Sequence, residues 1–135
     1  MVRKIVFCFS LALYIASLFL PVWNCNSKEL IGSDVLIVGW MGILGLDPRW
    51  FCNLIIVVAG CSLGGRPSSL VIGWCFVWAA IASTTVFGPY FCGPVGGAFG
   101  TDGKSMALGG YLWIASLWIA SLSTLDESDL ASGDQ

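Results

Sequence analysis

The 135 residues are 57% hydrophobic and 10% charged, with a mean hydropathy of +0.87 and a net charge of -2. A soluble domain carries about 25% charged residues, and a small domain in water leaves much of its surface exposed. The composition therefore excludes an ordinary soluble domain and predicts an all-α protein that spans the lipid bilayer several times. The six basic residues form no patch, so no nucleic-acid partner is expected.

The first apolar segment follows a pair of basic residues, Arg3 and Lys4. A signal peptide has a similar arrangement, but its apolar core is about 7–15 residues long. The run here covers residues 5–22, and the residues around Pro21 make a poor cleavage site. We expect an uncleaved first span over residues 5–23. The positive-inside rule then places the N-terminus in the cytoplasm.

The next apolar segment, residues 35–46, is too short to cross a bilayer. Its 12 residues between Asp34 and Asp47 would form about 18 Å of helix, whereas a span needs about 20 residues. Pro48 ends the segment, because the residue before a proline is disfavoured in a helix. The sequence therefore predicts an interfacial or re-entrant segment that returns to the side from which it came.

Three further spans are expected, over residues 50–64, 68–87 and 108–125. The first two are joined by a turn at Gly65-Arg66-Pro67. Residues 88–107 contain too many glycines for a stable helix, so they are expected to form an outer loop. The acidic segment 126–135 is expected to form a flexible tail on the cytoplasmic side.

A five-span alternative places the segment 35–46 across the membrane, and charge counting favours it slightly. Four spans put three basic residues on each side, namely Arg3, Lys4 and Arg66 inside and Lys28, Arg49 and Lys104 outside. Five spans put four inside and two outside. The positive-inside rule therefore prefers five spans by one residue.

Aromatic residues and two cysteines favour four spans. In that arrangement an aromatic belt forms at the outer boundary, from Trp23, Trp50, Phe87, Tyr90, Phe91, Tyr111 and Trp113. Cys25 and Cys92 also share the outer side, where a disulfide between them is expected to be stable. Five spans would separate the two cysteines, so we adopt four.

Small residues recur at four-residue spacing within the predicted spans. The pairs are Ala12 with Ala16, Gly60 with Gly64, Ala79 with Ser83, and Ser116 with Ala120. Such pairs let helix backbones approach closely in lipid. Two interpretations remain open: packing between helices of one chain, and a face for self-association. Asn53 is the strongly polar side chain within a span, and we expect it to bond to a neighbouring helix.

The sequence lacks the arrangements of residues that are typical of metal, cofactor and catalytic sites. The chain has no histidine, no CxxC pair and no charged residue at mid-membrane depth. We therefore expect no metal, no cofactor and no proton relay. Asp34, Asp47 and Asp102 fall in outer segments but lack a catalytic partner, so an enzyme is not expected. The glycines at 39–45 and 93–100 lack the context of a nucleotide site.

Two blocks of sequence resemble a group of small, uncharacterised bacterial inner-membrane proteins. The blocks are Gly39-Trp40-x-Gly42-Ile43-x-Gly45 with Trp50-Phe51-x-Asn53, and Gly110-Tyr111-Leu112-Trp113-Ile114-Ala115-Ser116. Leu54 departs from the group, whose members often have proline after this asparagine. The resemblance implies four spans and a bacterial inner membrane, and it implies no activity.

The leading functional hypothesis is a non-enzymatic membrane protein that acts through helix–helix association, with itself or with a larger membrane complex. The small-residue pairs and the absence of charge within the spans favour it. One alternative is a pore-forming protein, similar to a holin or a toxic effector. Another is a transporter subunit, which the missing intramembrane charge disfavours.

Overall fold

A computed structural model describes residues 1–25, 29–39, 48–87 and 103–125, and these residues are mostly helical. The α-helices are α1 Val2–Leu18, α2 Gly32–Gly39, α3 Leu54–Ser62, α4 Ser69–Ser83 and α5 Leu108–Leu122. Two 3-10 segments extend them: Pro48–Asn53 leads into α3, and Thr84–Phe87 continues α4. The predicted tail lies outside the described residues.

The first helix is shorter than the sequence predicted. Helix α1 ends at Leu18, where the Phe19 N–H donates to the Ala16 carbonyl at 3.2 Å. Pro21 lies three residues further on, and a proline there removes a helical N–H donor and restricts the residue before it. The residues that were expected to complete the span to position 23 instead begin a β-strand.

A three-stranded antiparallel sheet lies at this end of the helices, so the all-α prediction is corrected to a mostly helical fold with a small sheet. The strands are β1 Pro21–Cys25, β2 Glu29–Ile31 and β3 Gly103–Met106, in the order β2-β1-β3. Trp23 of β1 pairs with Leu30 on one side and with Met106 on the other. The pairing of β1 with β3 joins distant parts of the chain, which local sequence periodicity does not reveal.

The sheet fixes the start of α5 against the end of α1. The Ala107 N–H donates to the Val22 carbonyl at 2.8 Å. A Cβ at Gly109 would lie 2.6 Å from the carbonyl oxygen of Pro21 and 2.7 Å from that of Leu20. These oxygens belong to the backbone and have little room to move, so glycine is required at position 109.

Helix α5 runs antiparallel to α1 and contacts it at both ends and in the middle. Gly109 meets Leu20, the Ser10 hydroxyl donates to the Ser116 carbonyl at 2.7 Å, and the Arg3 guanidinium donates to the Ser123 carbonyl at 3.0 Å. Helix α5 also packs against α3 and α4. It is therefore the helix around which the others are arranged.

Most residues of the interior are small, whereas many large apolar residues are exposed. The core contains Cys52, Ile55, Ala59, Cys75, Ala79, Ala82, Leu117 and Ala120. Buried polar residues are Ser10, Ser17, Thr85, Ser116, Ser121, Ser123 and Thr124. Exposed residues include Ile5, Phe9, Phe19, Val57, Leu70, Val77, Phe87 and Leu108. So many exposed large apolar side chains are uncommon on a protein in water.

The helix Ser69–Phe87 is long and apolar enough to cross a membrane, with a mean hydropathy of 1.9. Only 22% of it is buried within the chain. Helices Arg49–Ser62 and Leu108–Leu122 are apolar but shorter. Among the described residues, one helix thus meets the length and composition expected of a span.

The short helix α2 lies at the sheet end of the helices. Gly32 at its start packs on the backbone of Ser17 and Leu18, and the Leu36 carbonyl accepts a bond from Trp50 Nε1 at 2.9 Å. Leu36 and Trp50, which lie before and after the undescribed residues, are therefore in direct contact. Residues 40–47 lie outside the described part of the chain.

Replacing Gly109 by alanine is expected to destabilise the fold, because the new methyl group would press on two backbone carbonyls. We expect a loss of about 1–3 kcal/mol, the usual range for overpacking, measured by thermal unfolding in detergent. Gly64→Ala is the control, since a Cβ there meets none of the described residues within 4 Å. Equal stability of the two variants would contradict the close crossing of α5 over Leu20 and Pro21.

Candidate functional site

Asn53 joins three segments of the chain through its side-chain amide. Its Oδ1 accepts hydrogen bonds from the Tyr14 hydroxyl of α1 at 3.0 Å and from Trp113 Nε1 of α5 at 2.8 Å. Its Nδ2 donates to the Trp50 carbonyl at 2.7 Å. An indole N–H is only a donor, so the atom facing Trp113 must be the amide oxygen.

The backbone around Asn53 explains why its side chain is available for these bonds. Asn53 ends the 3-10 segment and precedes α3 in a helical conformation, with φ -61° and ψ -24°. It makes no side-chain cap at the start of α3. The amide therefore reaches α1 and α5. The sequence predicted a bond to a neighbouring helix, and the structure supplies the partners Tyr14 and Trp113.

The sequence Leu-Trp-Ile-Ala-Ser occurs twice in succession in α5, at 112–116 and 117–121, and this tandem repeat places its two tryptophans against different segments of the chain. Five residues advance a helix by about 500°, so Trp113 and Trp118 point about 140° apart. Trp113 meets Asn53, whereas Trp118 Nε1 donates to the Ser83 hydroxyl of α4 at 2.9 Å. Trp118 also lies 5.9 Å from the ring of Phe76. The repeat thus connects α5 to the start of α3 through Trp113 and to α4 through Trp118.

The buried hydroxyls of this region have acceptors. Apart from the Ser10–Ser116 bond, they donate to carbonyls of their own helix: Ser116 to Trp113 at 2.6 Å and Ser121 to Leu117 at 2.9 Å. Such bonds let serine enter an apolar interior without an unsatisfied polar group. The buried hydroxyls therefore lie beside the hydrophobic core with their hydrogen bonds satisfied.

Arg3 ties three helices together at the end opposite the sheet. Besides Ser123 of α5, its guanidinium donates to the carbonyls of Ser62 at 2.8 Å and Gly65 at 3.2 Å, at the end of α3. The last carbonyls of a helix lack helical partners and carry partial negative charge. The sequence treated Arg3 only as a topological charge, because no local pattern indicates contacts with residues so distant in the chain.

The predicted small-residue pairs divide between interior and surface. Ala79, Ser116 and Ala120 are fully buried. A Cβ at Gly60 would lie 3.1 Å from the Phe7 ring, and Ser83 bonds to Trp118. Ala16 is half-buried and Ala12 is exposed. Gly64 has open space around it, so the pair Gly60–Gly64 does not act as a unit in packing this chain.

The cysteines show no reactive arrangement in the described residues. Cys52 and Cys75 are buried in the core, and Cys8 and Cys61 are exposed. Cys92 and the side chain of Cys25 lie outside the described part, so their disulfide stays a prediction. No group of three potential metal ligands occurs among the residues searched. Asp34 is exposed on α2, and Asp47 and Asp102 are not described.

Comparisons with models of known protein families, with curated proteins and with solved structures found no match. The resemblance to small bacterial inner-membrane proteins therefore stays a prediction. The site consists of hydrogen bonds between helices, and these bonds fix the positions of the helices relative to one another.

Replacing Asn53 by alanine is expected to lower stability by about 1–2 kcal/mol, because Tyr14 and Trp113 both lose their acceptor. Tyr14→Phe should cost less, since it removes one donor and leaves the Trp113 bond. Chemical unfolding in detergent measures both. Asn24→Ala is the control: Asn24 makes an exposed bond to Ser105, and its loss should cost under about 0.5 kcal/mol. Equal costs at Asn24 and Asn53 would contradict the role of the amide.

Proposed function

We propose that four segments cross a membrane: α1, the 3-10 segment with α3, α4 with its 3-10 extension, and α5. The observation that carries the proposal is the number of large apolar side chains exposed on the helices, around a core in which most residues are small. Lipid covers such an exterior without cost. Gly32 of α2 packs on the backbone of Ser17 and Leu18, and the Leu36 carbonyl bonds to Trp50, which supports a segment that does not cross.

The lengths of the segments are compatible with this arrangement. Helix α1 has 17 residues and is about 26 Å long, close to the hydrocarbon thickness of about 30 Å. The 3-10 segment adds to α3, because it rises about 2 Å per residue. Local thinning of the bilayer and residues flanking the helices accommodate the remaining difference.

The orientation follows from the charges at the two ends. Arg3, Lys4 and Arg66 lie at the end opposite the sheet, which is cytoplasmic under the positive-inside rule. The sheet and the aromatic residues Trp23, Phe87 and Tyr111 then lie at the outer surface. A bacterial inner membrane is the expected location, by the resemblance described above.

Within this membrane the protein acts by helix–helix association, with itself or with a larger complex, and it is not an enzyme. The exposed side of α4 supports this role. Gly73 lies in the middle of that helix, and no described residue of the chain comes within 4 Å of a Cβ placed there. Glycine in a helix costs about 1 kcal/mol relative to alanine. A second helix could pack closely on Gly73 and Ala80, because glycine has no side chain to keep the two backbones apart.

A pore within one protomer has no support from the interior, which is filled by side chains with satisfied hydrogen bonds. A pore would require several protomers around a shared opening. A transporter subunit lacks support for a different reason, since α3, α4 and α5 contain no charged residue.

Photocrosslinking in cells tests the association directly. A photoreactive residue at Val77, 59% exposed beside Gly73 on α4, should give discrete crosslinked products with the same protein or with a membrane partner. Val57 on α3 is 60% exposed and provides the matched control. Adding Gly73→Leu should reduce the Val77 product about tenfold, because loss of close packing costs on the order of 1–2 kcal/mol. Equal products at both positions would contradict a specific face.

A further inference from the structure

The ends of α3 and α5 meet the start of α1 around the guanidinium group of Arg3. Its Nη2 donates to the Ser62 carbonyl at 2.8 Å, its Nη1 to the Gly65 carbonyl at 3.2 Å, and its Nε to the Ser123 carbonyl at 3.0 Å. Each guanidinium nitrogen thus has a backbone acceptor of its own. We call these three oxygens the carbonyl cluster. Their spacing matches the planar fork in which a guanidinium carries its donors.

The electrostatics of the three helices explain why a cation occupies the carbonyl cluster. The last carbonyls of a helix lack helical partners and carry partial negative charge. Neither α3 nor α5 has a basic residue in its last turn, so another helix supplies the positive charge. Arg3 lies in the first turn of α1, where a positive charge is unfavourable for its own helix. The ends of α3 and α5 therefore account for a basic residue at this position.

The hydroxyl groups of the two serines at these helix ends take no part in binding the cation. Ser62 Oγ donates to the Val58 carbonyl at 2.8 Å, and Ser123 Oγ donates to the Ala120 carbonyl at 2.6 Å. Each hydroxyl thus bonds within its own helix. The guanidinium is recognised through main-chain oxygens, which stay in place when a serine side chain is replaced.

Contacts further along α1 hold the carbonyl cluster together independently of Arg3. A Cβ at Gly60 would lie 3.1 Å from the Phe7 ring, so α1 and α3 are closely packed one turn away from Arg3. The Ser10 hydroxyl donates to the Ser116 carbonyl at 2.7 Å and joins α1 to α5. Loss of the Arg3 side chain should therefore leave the three carbonyls near their positions, with room for a cation among them.

We propose that the carbonyl cluster is a binding site for guanidinium-class cations, and that Arg3 is its resident ligand, which closes this end of the helices. Tethering gives the Arg3 side chain a high effective concentration at the site. A protein that lacks this side chain binds a free guanidinium ion at the same oxygens. The site selects guanidinium over sodium, because three separate nitrogens serve three separate acceptors. The inference does not depend on the proposed association.

Chemical rescue of Arg3→Ala tests the site, with the full chain in neutral detergent. Arg3→Ala should lower the midpoint of thermal unfolding by about 4–8 °C, because three carbonyls lose a charged donor. Millimolar guanidinium chloride should restore about half of this loss, since a ligand that binds the folded state stabilises it. The same salt should leave the wild-type midpoint unchanged, because Arg3 already fills the site.

Matched controls separate the site from general effects of charge. Lys4→Ala removes the same charge from the neighbouring, exposed residue, and its midpoint should not respond to guanidinium. Sodium chloride at the same concentration controls for ionic strength, and urea controls for a planar molecule without charge. Neither should rescue Arg3→Ala. Adding Ser62→Ala to Arg3→Ala removes a hydroxyl and keeps the carbonyl, so the rescue by guanidinium should persist.

Several results would overturn the site. These are an unchanged or lowered midpoint of Arg3→Ala in guanidinium, equal rescue by sodium chloride or urea, and an equal loss of stability in Lys4→Ala and Arg3→Ala. Arg3→Lys provides a second test that does not require Arg3→Ala to fold. Lysine ends in one nitrogen where arginine has three, so the midpoint of Arg3→Lys should fall below that of the wild type. Equal midpoints of these two proteins would contradict the selection of guanidinium.

Discussion

Helices α1 and α5 can lie side by side along their full length only because the residues between them are small. At one end, Gly109 lies so close to the backbone carbonyls of Leu20 and Pro21 that no side chain would fit between them. Ser10 and Ser116 meet in the middle. At the other end, Arg3 reaches the last turn of α5. The remaining helices are then placed by bonds to this pair, through Asn53 to α3 and through Ser83 to α4.

This arrangement gives the molecule its unusual distribution of side chains. When helices approach closely through glycine, serine and alanine, the larger apolar residues are left on the outside. In water the exposed Phe9, Leu70 and Phe87 would drive aggregation. In lipid the same side chains cost nothing, and the interior gains van der Waals contact and hydrogen bonds. The proposed membrane location accounts for the exposed apolar side chains and for the close packing of the helices together.

The sequence predicted the features that depend on local pattern. Hydropathy and length were sufficient to locate α1, α3, α4 and α5 approximately, although α1 ends at Leu18 because of Pro21. Helical geometry by itself also separates Trp113 from Trp118, because five residues advance a helix by about 500°. The sheet was missed because β1 and β3 are short and pair across most of the chain. The contacts of Arg3 were missed for the same reason, since its acceptors are backbone carbonyls and carry no sequence signature.

The candidate site was predicted in part. Asn53 was identified because a polar side chain in an apolar segment must find a partner. Which partners it finds depends on how α1 and α5 pack, and this is a tertiary property. The small-residue pairs show the same limit. Their spacing indicated close contact, but it did not distinguish Ala79, which lies in the core, from Ala12, which lies on the surface.

The central claim is that the two ends of the helices lie on opposite sides of a membrane. Thiol labelling tests it most directly, with Cys25 and Cys92 replaced by alanine and new cysteines introduced as Asn24→Cys, Ser105→Cys or Gly65→Cys. An impermeant maleimide should label positions 24 and 105 in intact spheroplasts, and position 65 only after permeabilisation. Labelling of positions 24 and 105 from opposite sides, or of positions 65 and 105 from the same side, would contradict the account.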